Sequence, residues 1–245
     1  MTDQQTRGRA PAHSPEYRTV RYLVRMHARL AAWIVGIMAV VVVLALIIWD
    51  RIGVVDQSVV QFARQGVMIW FPFSLGVITA TTLLPIHVAT GMTRRSFARA
   101  TLVGAVAMAS LYAVALSVLL QLERLAFASL GWEHGISVGS ALFTDSAQVG
   151  LVAADFFGVT LVGQLAGLLC GIAYYRAGGW WGTLALPLTT GPVFVFLWLA
   201  GVRPGSAAFA LDLAWRGAFG AAVLIAIATA YSVLVRRAAI APVRQ

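Results

Sequence analysis

Long apolar runs separated by short polar segments constrain the fold of this chain more than any other feature. Residues 30–49 contain no charged side chain, and residues 40–48 form an unbroken stretch of Val, Leu, Ala and Ile. About 20 apolar residues in a helix cross the hydrocarbon core of a bilayer. A secretory signal has a shorter apolar core, of about 7 to 15 residues. This run is longer and ends in Trp49-Asp50-Arg51, so we expect it to remain in the membrane as a first span.

The amino-acid composition is also typical of a membrane protein. Of the 245 residues, 60% are hydrophobic and 11% are charged, against about 25% charged residues in soluble domains. All 18 basic residues are Arg, so the Lys of a phosphate-binding P-loop is missing and that route to ATP hydrolysis is closed. The single cysteine, Cys170, lies in an apolar run, which excludes a disulfide framework and a thiolate metal site.

Six apolar runs predict an all-α, polytopic membrane protein with six transmembrane helices. The predicted spans are about 30–49, 67–90, 100–120, 153–175, 183–200 and 214–235. Residues 1–15 are polar and contain Pro and Gly, which predicts a disordered cytoplasmic tail. Residues 16–245 are predicted to form a single transmembrane domain.

The segment before the first span, residues 16–29, is predicted to be an amphipathic helix. Its arginines recur at spacings of three and four and therefore share one face: Arg18, Arg21, Arg25 and Arg29. Another face carries Tyr17, Val20, Val24 and His27. Such a helix would lie in the headgroup plane with its basic face toward lipid phosphate. The alternative is that these arginines are only the positive charge that flanks a first span.

The gap between the second and third spans is strongly basic. Gly91 interrupts the second run, and Thr93 is placed to cap a short helix. Three arginines follow, Arg94, Arg95 and Arg99. Each arginine costs about 2.5 to 3.5 kcal/mol at mid-bilayer, so the chain leaves the membrane here and returns. We expect this turn to be cytoplasmic and to meet a soluble partner.

The distribution of the arginines predicts the orientation of the chain. When the gaps are assigned to alternate sides, thirteen arginines fall on one side and five on the other. The positive-inside rule then places both termini and the basic turn in the cytoplasm, in a multi-pass protein of the plasma membrane. The net charge of +9 is thereby assigned to the cytoplasmic leaflet and not to a nucleic-acid partner.

The fourth span carries small residues at a spacing of four: Gly163, Gly167 and Gly171. Without a Cβ, these positions let another helix approach closely. The ridge therefore predicts a tight helix contact, either within the chain or between two copies. The alternative is the ordinary frequency of glycine in membrane helices.

Ionisable side chains inside the spans are scarce. His87 lies well inside a run, near its cytoplasmic end, and we interpret it as a helix-end residue and not as a proton relay. Glu123 and Asp155 are at span ends and are expected to face the outer interface, while Glu133-His134 is expected to be solvated in a loop. No set of convergent catalytic groups can be assembled, so we predict that the chain is not an enzyme and holds no metal.

The basic turn also carries a family resemblance. Gly91-Met92-Thr93-Arg94-Arg95-Ser96-Phe97 resembles the Gly-x-Ser/Thr-Arg-Arg-x-Phe turn between spans two and three of ABC exporter permeases of the second type. The Tyr174-Tyr175-Arg176-Ala177-Gly178 turn and the Pro- and Gly-broken segment before the sixth span are similar to that family as well. The predicted topology extends the resemblance over essentially the whole chain.

The resemblance implies a permease that forms its pathway as a homodimer or with a related permease chain, each binding a separate ATPase subunit. The turn would seat on that subunit as a coupling helix, and its residues are Gly91, Thr93, Arg94, Arg95, Ser96, Phe97 and Arg99. Arg94, Arg95 and Phe97 would be the contact residues. Segment 16–29 would be an interfacial helix and 202–213 a re-entrant outer element. ATP and Mg would belong to the partner, so this chain would carry no cofactor.

Two other interpretations stay open at this point. A six-span assembly or regulatory protein that transports nothing would fit the same topology, and a neighbouring gene for an ATPase with a Walker motif would argue against it. A membrane-embedded enzyme is disfavoured because paired catalytic groups are missing. The substrate is not defined, since scattered Thr and Ser suit an amphipathic cargo and helix packing equally. The loop 121–150 is long for the family and has no assigned role.

Overall fold

The computed structural model describes residues 15–53, 57–136, 142–201 and 211–239, and every regular element within them is helical. The helices are α1 (Pro15–Ile52), α2 (Val59–Gln65), α3 (Val67–Ile78), α4 (Leu84–Ala89), α5 (Arg94–Leu130), α6 (Val149–Leu184), α7 (Leu186–Ala200) and α8 (Leu213–Arg236). The predicted tail, apart from residue 15, and most of the predicted re-entrant segment 202–213 lie outside the described residues.

Five described stretches are long and apolar enough to cross a membrane, judged by length and composition. They are Thr19–Ile52, Val59–Ala89, Arg94–Leu130, Val149–Leu184 and Leu213–Arg236. The fifth predicted span, 183–200, corresponds to α7, whose 15 residues extend about 22 Å, less than the roughly 30 Å of the hydrocarbon core. The prediction of an all-helical chain with several membrane-spanning helices is confirmed at this level.

α6 is the central helix of the bundle. Every residue from 158 to 172 is buried, and the helix packs against α3, α5, α7 and α8. A helix that is apolar on all sides must bury all of them, and this part of the sequence offers no charged face. α1 is peripheral and packs mainly against α5, which leaves the side chains of Trp33, Val40 and Ile47 exposed.

A π-helical segment, residues Thr79–Leu83, joins α3 to α4. Pro85 is the second residue after this segment, and without an N–H it cannot donate to the carbonyl of residue 81. The Thr81 hydroxyl donates to the carbonyl of Val77 at 2.9 Å. Pro72 lies inside α3 without ending it.

Two predicted elements are not separate in the structure. α1 runs unbroken through residues 29 and 30, so the N-terminal amphipathic helix is the first part of the helix that carries the first span. α5 begins at Arg94 and continues to Leu130, so the predicted short coupling helix consists of a turn and the start of α5. Both corrections have one physical reason: nothing in either junction breaks a helix, because Gly and Pro are missing there.

The predicted turn at residues 176–181 is a sharp kink inside α6. Gly178 has φ +77° and ψ −179°, a conformation that residues with a Cβ rarely adopt. Beyond it the chain folds back, since a Cβ at Gly182 would lie 2.6 Å from the ring of Tyr174. The Tyr174 hydroxyl donates to Thr183 Oγ1 at 3.0 Å, which ties the two arms together.

The helices alternate so that arginines collect at one end of the bundle, called here the basic end. A Cβ at Gly104 would lie 3.5 Å from Leu23, and the Tyr231 hydroxyl donates to Thr101 Oγ1 at 2.9 Å. These contacts bring the start of α1, the start of α5 and the end of α8 together. The opposite end, called the polar end, contains α2, the start of α6 and the end of α7.

Candidate functional site

The basic turn, residues 91–99, consists of a tight, well-bonded loop between α4 and α5 and the first residues of α5. Gly91 has φ +82°, which favours glycine. Its N–H donates to the Val88 carbonyl at 2.9 Å, and the N–H of Met92 donates to the His87 carbonyl at 3.2 Å. Thr93 is the N-cap of α5, because its Oγ1 accepts the N–H of Ser96 at 3.1 Å.

Three buried side chains fix this turn to the bundle: His87, Ser96 and Phe97. The Ser96 hydroxyl donates to the Thr93 carbonyl at 2.7 Å, so its oxygen is left to accept the Nε2–H of His87 at 3.1 Å. Phe97 is fully buried and meets the His87 ring edge to face, with 5.2 Å between ring centroids. His87 is thus a helix-end residue that braces the turn.

The arginines of the turn lie on its outer side. Arg95 and Arg99 are exposed and Arg94 is half-buried. Phe97 was expected to contact a partner, and its complete burial corrects that expectation: it belongs to the anchor of the turn. Ser96 is likewise buried, so the surface of the turn is mainly cationic.

The arginines of the first part of α1 form a second basic surface at the same end. Arg21, Arg25 and Arg29 are exposed, whereas the side chain of Arg18 lies outside the described part of the chain. His27 is buried and its Nδ1–H donates to the Leu23 carbonyl at 2.8 Å. The helix therefore turns an apolar face toward α5 and leaves its arginine face open.

The glycine ridge of α6 lies directly against α3 in the same chain. A Cβ would lie 2.5 Å from the Ile69 carbonyl oxygen at Gly163, closer still to the Phe73 carbonyl oxygen at Gly167, and 2.8 Å from the Val77 carbonyl oxygen at Gly171. Gly76 of α3 fits against the backbone of α6 in return, where a Cβ would lie 2.5 Å from the carbonyl oxygen of Gln164. The backbones of the two helices are in contact along this line.

The polar end holds a buried cluster around Glu123 that the sequence did not lead us to expect. The Glu123 carboxylate is almost completely buried and accepts the Ser58 hydroxyl at 2.5 Å and the backbone N–H groups of Val59 and Val60 at 2.8 and 3.3 Å. His134 Nε2 lies 3.1 Å from the same carboxylate. Four donors therefore satisfy this buried acceptor, and they hold the start of α2 against α5.

A buried ion pair lies beside this cluster. Arg64 binds Asp155 through Nε and through NH2, the latter at 2.7 Å, and the Leu142 N–H donates to the same carboxylate at 3.0 Å. Both side chains are almost fully buried. Such a bidentate, additionally hydrogen-bonded pair is the arrangement that makes buried charges tolerable.

Arg216 provides a third buried charge at the polar end. Its guanidinium donates to the carbonyls of Leu199, Ala200 and Gly201 at 2.8, 3.0 and 3.1 Å. These carbonyls are left without helical partners at the end of α7, where a cation is favourable. Arg216 and Asp155 also line one cavity of about 220 Å³. The positive charges of Arg64 and Arg216 are therefore offset by the carboxylate of Asp155 and by the C-terminal end of α7.

Two expectations about this end are corrected. Glu123 and Asp155 do not face an aqueous interface, and His134 is not solvated, since Glu123 and Ser146 lie 3.1 and 3.0 Å from its ring nitrogens. Glu133 is exposed, as expected of a loop residue. The sequence did contain one signal for this cluster, because Glu123 and Asp155 are carboxylates inside or next to an apolar run. Such carboxylates are rare, and each indicates a side chain or backbone group that binds it.

The buried charged groups of the polar end are hydrogen-bonded within the chain. The buried carboxylates of Glu123 and Asp155 each accept several hydrogen bonds, and in the described part of the chain no three His, Cys, Asp or Glu side chains come together as a metal site. The arrangement is suited to fixing α2, α5, α6 and the end of α7 in place. No family model, curated protein or solved structure matches this chain.

Proposed function

We propose that the chain is the membrane-spanning permease subunit of an ABC exporter, driven by a separate ATPase subunit through the basic turn. The observation that carries this proposal is the construction of that turn. Arg95 and Arg99 are exposed and Arg94 is half-buried. The buried side chains of His87, Ser96 and Phe97 anchor the turn to the bundle. A force applied to the arginines would therefore move the helices that the turn joins.

The path of such a movement follows from the packing. The turn connects α4, and through the π-helical segment α3, to α5. Both α3 and α5 pack against the central helix α6, and the α3–α6 contact is backbone to backbone at the glycine ridge. ATP-driven closure of the partner would tilt the turn and displace these helices as rigid bodies, changing the pathway between two permease copies.

The proposal also places the basic end in the cytoplasm of a plasma-membrane protein, with both termini on that side. Exposed arginines of α1, of the turn and of the end of α8 gather at that end, which is what the positive-inside rule favours. ATP and Mg would be bound by the partner, and Arg94 and Arg95 would contact an acidic surface on it.

The proposal is tested by co-purification of this chain with an ATPase that contains a Walker motif and is encoded by a neighbouring gene. We expect the R94E/R95E variant to recover at least about tenfold less ATPase than the wild type, because two charge reversals remove complementary pairs and create repulsion. The matched control is R236E/R237E, which makes the same change at two exposed arginines of the same end. Equal recovery by both double variants would contradict the proposal.

Folding is checked by the thermal midpoint in detergent, which should be unchanged because the substituted side chains are not in the core. A wild-type chain that is folded and yet recovers no ATPase would instead favour the assembly or regulatory protein that transports nothing.

A further inference from the structure

We propose that the apolar groove between α6, α7 and α8 binds a phospholipid with an anionic headgroup, with its phosphate at Arg176 and an acyl chain along α7 and α8. The inference goes beyond the proposed function and does not rest on it, because the lipid would bind this chain without any ATPase.

The groove is large and almost entirely apolar. Its volume is about 830 Å³, and α7 contributes Pro187, Leu188 and Val195 to its wall. Leu188 is 79% exposed, so its side chain is accessible to an apolar group that occupies the groove. At Gly191, on the same wall, a Cβ would meet nothing within 4 Å, so the groove is open and not a collapsed seam.

A single charged side chain marks one end of the groove. Among the described residues that line it, Arg176 alone is charged, and it is exposed. The nearby Trp180 and Trp181 are also strongly exposed, and tryptophan favours the headgroup level of a membrane. Arg176 is therefore placed where a lipid phosphate lies, and the rest of the groove extends into the hydrocarbon region.

The depth of the groove matches one leaflet. Its wall on α8 runs from Val223 to Leu234, a rise of about 16 Å, which is half of the roughly 30 Å hydrocarbon core. An acyl chain below a phosphate fits both the shape and the charge.

The experiment uses the purified full chain in detergent with phosphatidylglycerol and phosphatidylcholine of identical acyl chains, counted by native mass spectrometry. We expect Arg176→Gln to reduce retained phosphatidylglycerol about fivefold, the effect of one basic residue near an anionic headgroup, and to leave phosphatidylcholine unchanged. The control Arg236→Gln removes an exposed arginine at the same end, outside the groove, and should change neither lipid. An unchanged ratio of the two lipids in Arg176→Gln would overturn the headgroup assignment.

A second arm locates the acyl chain with lipids that carry a photoreactive group in the chain. Crosslinks to α7 and α8 should fall severalfold in Gly191→Phe, which fills the groove. They should persist in Gly36→Phe, where a Cβ on α1 also meets nothing within 4 Å. If both variants lose crosslinks equally, or if the crosslinks join two copies of the chain at this groove, the proposal fails. Should Gly191→Phe melt at a lower temperature than the wild type, the Arg176→Gln result decides.

Discussion

At the level of single residues, the buried charged side chains of the polar end set the main constraint on the stability of the bundle. Arg64 and Asp155 neutralise each other, and the Leu142 N–H completes the carboxylate. Removing one member of such a pair leaves the other charge buried and unpaired, which typically costs about 3 to 5 kcal/mol. Replacing both by apolar residues of similar size avoids that cost.

We therefore expect Asp155→Asn to lower the free energy of unfolding by about 3 to 5 kcal/mol, measured by denaturation in detergent. The double variant R64M/D155L should be less destabilised than Asp155→Asn. Asp145→Asn is the matched control, because Asp145 is exposed and the hydrogen bond that its side-chain oxygen accepts from the Ala147 N–H can be kept by an amide oxygen. An equal loss of stability at positions 145 and 155 would contradict this account.

Single residues were also where the sequence was least informative. The apolar runs gave the helices, but partners far apart in the chain, such as Ser58 and Glu123 or Arg64 and Asp155, leave no local signal. Thr93 and Gly91 were foreseen as cap and breaker because caps and left-handed turns depend on neighbours along the chain. The burial of Phe97 depends on tertiary packing and was not foreseen.

At the level of elements, the contact between α3 and α6 is the closest in the bundle. The carbonyl oxygens of Ile69 and Phe73 lie where a Cβ of Gly163 or Gly167 would be, so even one methyl group would separate the helices. The four-residue spacing of the glycines on α6 predicted that another helix would pack against them. It did not show whether that helix would come from the same chain.

Gly167→Ala should consequently destabilise the bundle by about 1 to 3 kcal/mol, the usual cost of overpacking, although alanine is the better helix former. The thermal midpoint in detergent measures this change. Gly150→Ala, on the same helix with nothing within 4 Å of its Cβ, should leave the midpoint unchanged or raise it. A midpoint at or above the wild-type value for Gly167→Ala would show that the two backbones are further apart than described.

Only some of the helix boundaries could be predicted from the sequence. α5 ends at Leu130 and is capped by Gly131, whose φ is +73°, a common C-terminal cap. α1 continues past its arginines because neither Gly nor Pro stands between residues 16 and 35. Charge was therefore a poor marker of where a helix ends, whereas the glycines with positive φ at Gly91 and Gly131 do lie at helix ends.

At the level of the whole molecule, the two ends of the bundle differ in charge, and this asymmetry predicts orientation. The chain has one native cysteine, Cys170, and it is buried. In a Cys170→Ala background, single cysteines at Arg95 and Thr144, both exposed and at opposite ends, report the two sides separately.

With a membrane-impermeant thiol reagent on intact cells, we expect Thr144→Cys to be labelled and Arg95→Cys to be labelled only after the cells are opened. This follows because the positive-inside rule orients the basic end toward the cytoplasm. Labelling of Arg95→Cys from outside would reverse the topology and remove the basis for a cytoplasmic motor.

The π-helical segment before Pro85 has a geometric effect on the basic turn. A π-helical turn accommodates one residue more than an α-helical turn, and one residue corresponds to about 100° of rotation about the helix axis. If α-helical hydrogen bonding had continued from Ile78, the imidazole of His87 would face another side of the bundle, away from Ser96. The side of the bundle toward which the basic turn presents its arginines is therefore set by the five residues Thr79–Leu83. None of these five residues is charged.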